Sequence, residues 1–244
     1  MWCWKPGAEM ELTQLSLYDQ AVLLFAAAIL FTSFIMLAQA RIVPMIHTFA
    51  WQGALLAATT ALVAYVTEHP HLYISAVMTF LLKALLIPWM LHRLAVRLKI
   101  HREMEKLSYP SMTLLAGAAL VVFSYYVALP IIHLSALVTR NTIAISIAVV
   151  LLGMLLMIVR NKAISQVIGF MSIENGLFYS AVVSTYGMPM VVELGIAFDV
   201  LVAAILFGVF FFQMRDSIDS LDVDRLNRLK EADDSSLRAP EKLP

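Results

Sequence analysis

The sequence predicts an all-α fold, a polytopic transmembrane helix bundle of about seven helices. Three observations carry that prediction. Of the 244 residues, 61% are hydrophobic, and the mean hydropathy is +0.83. Apolar runs of about 20 residues, the length that crosses the hydrocarbon core of a bilayer, recur along the chain. Short polar turns separate them, which leaves almost no room for a soluble domain. Lysine plus arginine number 17 and aspartate plus glutamate 17, so the formal charge is zero and nothing points to nucleic acid. A single cysteine, Cys3, cannot supply an intrachain disulfide, an iron–sulfur cluster or a four-cysteine zinc site.

Residues 1–19 read as an N-terminal outer segment, where Trp2 and Trp4 mix with Lys5, Glu9, Glu11 and Asp19. Helix 1 is expected over Ala21–Ala38. Ala38-Gln39-Ala40 resembles a signal-peptide cleavage site, but the apolar run is too long and its leading flank is acidic, so the segment reads as a span. Helix 2 is expected over His47–Val66 and helix 3 over Leu72–His92. Between them, Glu68-His69-Pro70-His71 reads as a polar outer turn rather than a metal site. Arg93, Arg97, Lys99, Arg102 and Lys106 make the most basic loop. Val96, Ile100, Met104 and Leu107 recur within it at helical spacing, as in a turn lying along the membrane surface. Helices 1–3 and this loop occupy residues 20–110.

Residues 111–140 form a linker built on helix 4, expected over Ser111–Leu137 and interrupted near Pro130, where a backbone donor is missing. His133 reads as an interfacial histidine. The unit 141–214 holds helix 5, Thr142–Val159, the basic Arg160-Asn161-Lys162 turn, and helices 6 and 7 joined by Tyr186-Gly187-Met188-Pro189. The tail, 215–244, is polar. Its acids (Asp216, Asp219, Asp222, Asp224) precede its bases (Arg225, Arg228, Lys230), the order that suits a helix dipole. Placed with the N-terminus outside, the chain keeps nearly all its lysine and arginine on the inner side, with only Lys5 and Arg140 outside.

The ionisable residues inside the spans point to function. Glu174 and Asn175 fall about eleven residues into helix 6, near mid-membrane, and Asp199 lies at similar depth on helix 7. A carboxylate there costs roughly 2.5 to 3.5 kcal/mol on insertion scales. Lys83 is near the middle of helix 3, too far from either end to snorkel comfortably, so it must pair with an acid, reach water or lose its proton. Glu193 sits close to the outer end of helix 7, where the macrodipole favours an acid. On helix 6, Ser165, Gly169, Ser172, Gly176 and Ser180 make one small-residue face for close helix approach. Glu174 is roughly 160° around the helix from Gly176, so that side must also be covered. On helix 7, Asp199 shares a face with Gly195 and Ala203.

A parallel three-helix repeat, helices 1–3 against helices 5–7, is a candidate. Gln52-Gly53 on helix 2 stands where helix 6 has Asn175-Gly176, and Lys83 stands where helix 7 has Asp199. Trp51 takes the place of Glu174.

Helices 5–7, with the basic turn, Ile168-Gly169 and Glu174-Asn175-Gly176, then acids on the last helix, resemble the K subunit of respiratory complex I and its Mrp-antiporter relative. In that family, membrane glutamates on the middle and third helices belong to a central hydrophilic axis. The register departs: aligning Gly169 and Asn175 puts Met171 at the usual glutamate position, with Glu174 three residues on. The additional N-terminal helices, the Glu-Asn-Gly string and the Pro189-x-x-x-Glu193 and Gly195-x-x-x-Asp199 spacings are similar to hydrogenase-4 component E. That resemblance implies a non-catalytic membrane subunit of a group 4 [NiFe] hydrogenase or formate hydrogenlyase in a prokaryotic inner membrane. It implies antiporter-like and H-like membrane partners, with the NiFe centre and iron–sulfur clusters in peripheral hydrogenase subunits and no cofactor in this chain. The mechanism that fits the buried groups themselves is proton or cation relay, with Glu174 and Asp199 as carriers, Lys83 as modulating partner or carrier, Asn175 as a hydrogen-bonding neighbour, and Glu193 either a further relay acid or an interfacial one. A non-transporting scaffold, or a subunit of an Mrp-like cation/proton antiporter, fits the same residues.

Overall fold

The computed structural model describes residues 17–67, 70–97, 110–129, 137–185, 190 and 193–208, and nearly all of them are helical. The helices are α1 (Leu17–Ala38), α2 (Ile42–Thr67), α3 (Pro70–Thr79, Phe80–Leu86 and Ile87–Arg97 in series), α4 (Pro110–Ala128), α5 (Leu137–Val159), α6 (Ala163–Ser184) and α7, helical over 193–208. Six of them, α1 to α6, are long and apolar enough to cross a membrane. Large apolar side chains such as Leu24, Trp51, Leu115, Val122 and Ile158 are more than half exposed. A soluble protein covers such surface, whereas a lipid-facing one does not need to. The chain is a multi-pass membrane protein.

Helix ends depart from the hydropathy pattern where local chemistry decides them. α1 begins at Leu17, ahead of its apolar run, and α2 begins at Ile42 rather than His47. Pro44 lies in the first turn of α2, where a missing N–H costs nothing. α3 continues past His92 to Arg97, so part of the basic stretch is helical. α4 ends at Ala128, and the expected break at Pro130, together with His133, lies outside the described residues. So do Glu68 and His69, the basic loop beyond Arg97, the turn at 186–189 and the polar tail.

The chain divides into two compact units, one up to Ala203 and one from Ala204. Within the first, α1 packs on α2 and α5, α2 on α3 and α6, and α5 on α4 and α6. The α5–α6 contact is the most extensive, and glycines make it close. A Cβ on Gly153 would come within 2.9 Å of the Gly169 carbonyl oxygen, and one on Gly169 within 3.0 Å of the Gly153 carbonyl oxygen. The small-residue face of α6 therefore packs on α5: Ser165 and Ser172 are buried, and Gly176 meets Ser146, Val149 and Val150.

Arg160, in the basic turn, is buried rather than on the inner surface. Its Nη2 donates to the carbonyl oxygens of Leu37, at 3.2 Å, and of Gln39. A cation thus caps the C-terminal end of α1, where unpaired carbonyls and the helix dipole both favour it.

Gly169→Val is expected to separate α5 from α6 and destabilise the chain by about 1–3 kcal/mol. A lowered thermal aggregation temperature in detergent-solubilised membranes would show it.

Candidate functional site: a buried lysine between two carboxylates

Lys83 sits in the Phe80–Leu86 segment of α3, which is wound as a π-helix, its first hydrogen bond beyond the segment running from the Ile87 N–H to the Leu82 carbonyl. The cause lies in the next turn. Pro88 has no N–H, and its ring crowds the carbonyl four residues back, strain that a local π turn relieves. Such turns recur at functional sites. α2 lies directly against this one, because a Cβ on Gly53 would stand 2.9 Å from both the carbonyl carbon and the Cβ of Lys83. Only a residue without a side chain admits that approach.

From this turn the Lys83 ammonium reaches into the bundle, fully buried. It makes an ion pair and hydrogen bond with Glu174 and donates to Asn175 Oδ1 at 2.9 Å, both on α6. Asp199 Oδ1 on α7 is 3.4 Å away. The Phe178 ring lies beneath it, with the ammonium 4.9 Å from the ring centroid. Lys83 does not snorkel.

The five residues expected to form a relay divide four to one. Lys83, Glu174, Asn175 and Asp199, drawn from α3, α6 and α7, converge on one point. Glu193 is exposed and stands nearly two turns before Asp199 on α7. Asp199, Asn175 and Lys83 are 0% exposed, whereas the Glu174 side chain retains 12%. Among the described residues neither Asp199 oxygen accepts a hydrogen bond, so its principal compensation is the facing ammonium.

The exposed edge of Glu174 opens into a groove of about 290 Å³ between α6 and α7, walled by Phe170, Leu177, Phe178, Leu194 and Phe198. Gly195 lets α7 close against α6 here, since a Cβ on it would collide with the Phe178 ring. Asp199 and Ala203 are buried on the same helix face, as their spacing implied.

On the other side the cluster continues through amides. Asn175 Nδ2 donates to Gln52 Oε1 at 3.1 Å, and Gln52 Nε2 donates to Ser33 Oγ at 2.8 Å on α1. Gln52 pairs with Asn175, and Lys83 with Asp199, so residues at matching places in the two candidate repeats meet across the bundle. Pro88 and Phe178 were not singled out in the sequence. The signal for the first was available: a proline inside a span, five residues after a buried lysine. Among the described residues no group of three or more histidine, cysteine, aspartate or glutamate side chains could hold a metal.

Known proteins give the arrangement a context. The chain is 33% identical to the uncharacterized protein Rv0085 of Mycobacterium tuberculosis over 188 residues, 77% of this chain and 86% of that one. It is 25% identical over 182 residues to hydrogenase-4 component E of Escherichia coli, covering 75% of this chain and 84% of the relative. The same figures hold for hydrogenase-4 component E of Shigella flexneri. No family model matches the chain, and no solved structure does.

Removing the ammonium alone is expected to cost more than removing all three charges. Lys83→Met leaves two buried carboxylates without a counter-ion and should destabilise by about 3–5 kcal/mol. Combining it with Glu174→Gln and Asp199→Asn should restore most of that loss. Thermal aggregation of the three-residue variant beside the single one checks it, and equal losses would show that the charges contribute nothing to the cost.

Proposed function

This chain belongs to one family with Rv0085 and is a distant homologue of hydrogenase-4 component E. On that premise we propose that it is a membrane subunit of a hydrogenase-type complex. In this reading it carries no redox chemistry and contributes its buried carboxylates to proton translocation, driven by reactions in partner subunits. The partners are antiporter-like and H-like membrane proteins together with peripheral hydrogenase subunits, which hold the NiFe centre and iron–sulfur clusters. The complex lies in a prokaryotic cell membrane, with the N-terminus of this chain outside and the C-terminus in the cytoplasm.

The observation that carries the reading is one ammonium shared by two carboxylates. With all three groups ionised the cluster has a net charge of −1, and it becomes neutral when one carboxylate takes a proton. Low dielectric makes that imbalance costly, so proton uptake is coupled to where the ammonium lies. While Lys83 holds Glu174, Asp199 is the less compensated acid. A shift of Nζ toward Asp199 reverses the order and leaves Glu174, the acid with an exposed edge, as the site of exchange. The chemistry needed of this chain is to hold a proton on a carboxyl oxygen and to release it when the ammonium returns. No covalent step is involved.

Glu174→Gln and Asp199→Asn keep the shape and remove the titratable proton site. In the assembled complex, in sealed vesicles, each is expected to lower proton translocation per hydrogen turned over by at least about tenfold, with assembly unchanged. Unchanged translocation would overturn the relay and make this chain a scaffold held together by buried ion pairs.

Orientation has its own check. A reporter active only in the cytoplasm, fused after Pro244, should be active, and one active only outside the membrane should be silent.

A further inference from the structure

The donor-only chemistry of Lys83 determines how two amides beyond it are turned. An ammonium has no acceptor, so Asn175 must present Oδ1 to it, and does so at 2.9 Å. That leaves Asn175 Nδ2 facing α2, where an acceptor is needed, and Gln52 supplies Oε1 at 3.1 Å. Gln52 Nε2 is then directed at α1, donating to Ser33 Oγ at 2.8 Å, with Ser172 Oγ at 3.4 Å. Ser33 in turn donates to the Ile29 carbonyl at 3.0 Å. Every donor in this series points away from the ammonium. Gln52 and Asn175 are fully buried and Ser33 nearly so, so these bonds form in a low dielectric where a reversed amide would leave donors facing donors.

We infer that Gln52 is a positioning residue: acting through Asn175, it holds Lys83 as a cation between Glu174 and Asp199. A glutamine that only filled space would have no need of a defined direction for both its amide atoms. A neutral Lys83 would offer a lone pair and could accept from a reversed Asn175, which would in turn reverse Gln52 and draw the Ser33 hydroxyl from the Ile29 carbonyl to Gln52 Oε1. The state of the ammonium is thereby tied to a contact on α1. The consequence for translocation rests on the relay proposed above, whereas the positioning role rests on the hydrogen bonds alone.

A double-mutant cycle tests it, using the thermal aggregation temperature of the full chain in detergent-solubilised native membranes. Gln52→Met is expected to lower that temperature by about 4 °C, the effect of orphaning one buried donor in a chain of this size. Added to Lys83→Met it should lower it by clearly less than it does alone, because the part of the loss that came from holding the ammonium is already gone. Additive losses overturn the positioning role. If Gln52→Met fails to accumulate, Gln52→Leu, which also removes the acceptor toward Asn175, enters the same cycle under the same criterion.

Sealed vesicles supply the second readout. Gln52→Met should lower translocation per turnover by about tenfold, and Gln52→Glu should retain roughly half of the wild-type value. Equal loss in both would overturn a role specific to the acceptor. If Glu174→Gln translocates normally while the cycle is non-additive, the relay falls and the positioning role stands. An additive cycle with translocation lost in Glu174→Gln has the opposite meaning.

Discussion

A lysine ammonium with no acceptor of its own, placed at 0% exposure among apolar helices, is the constraint to which the other polar groups of this bundle answer. The desolvation of such a charge costs several kcal/mol even after relaxation, and partial compensation does not suffice. Two helices therefore converge on it. α6 brings Glu174 and Asn175, α7 brings Asp199, and the face of Phe178 covers the remaining approach. Because Asn175 must give its oxygen to the lysine, its nitrogen must be satisfied elsewhere, and the demand passes through Gln52 to α1.

The backbone is shaped to make this convergence possible. Pro88 denies α3 a regular ladder, and the wider π turn that results carries Lys83. Gly53 then allows α2 to lie on that turn, and Gly195 allows α7 to lie on Phe178. Gly153 and Gly169 do the same for α5 against α6, which fixes the helix that supplies Glu174 and Asn175. Each of these glycines lies where a methyl group would meet backbone or a ring. In a bilayer, where apolar burial drives helices together only weakly, such close packing is a principal source of association.

Much of the site was legible because charged and amide groups are expensive in a membrane and few in number. Lys83, Glu174, Asn175 and Asp199 each stood out at mid-span, and the spacing of Asp199 with Gly195 and Ala203 identified its buried face. What could not be read was who pairs with whom. Hydropathy places residues in depth but not around the bundle, so Lys83 against Glu174 and Gln52 against Asn175 appear only once helices are packed. The starts of α1 and α2 and the end of α3 differed from the hydropathy pattern, whereas the Ala38 end of α1 lies where expected, although it is also held by a guanidinium more than 120 residues away in sequence, through Arg160 and the carbonyls of Leu37 and Gln39. Glu193 illustrates the opposite case. Its acid is cheap at an exposed helix end, so its presence in the sequence carried little information about the cluster.

The cluster is also asymmetric in its access. Lys83, Asn175, Gln52 and Asp199 are closed off, and on the α1 side the Asn175 and Gln52 amide nitrogens already donate to Gln52 Oε1 and Ser33 Oγ. Amides in that arrangement orient a charge well but pass a proton poorly, since neither nitrogen has a lone pair to accept one. Glu174 differs: it touches the ammonium, and its side chain also keeps an edge on the α6–α7 groove. Among the described residues of the cluster, Glu174 is thus the ionisable group with an exposed edge. The groove is walled almost entirely by apolar residues, so its lining offers that carboxylate no hydrogen-bond partner and the facing ammonium and its neighbours carry the compensation.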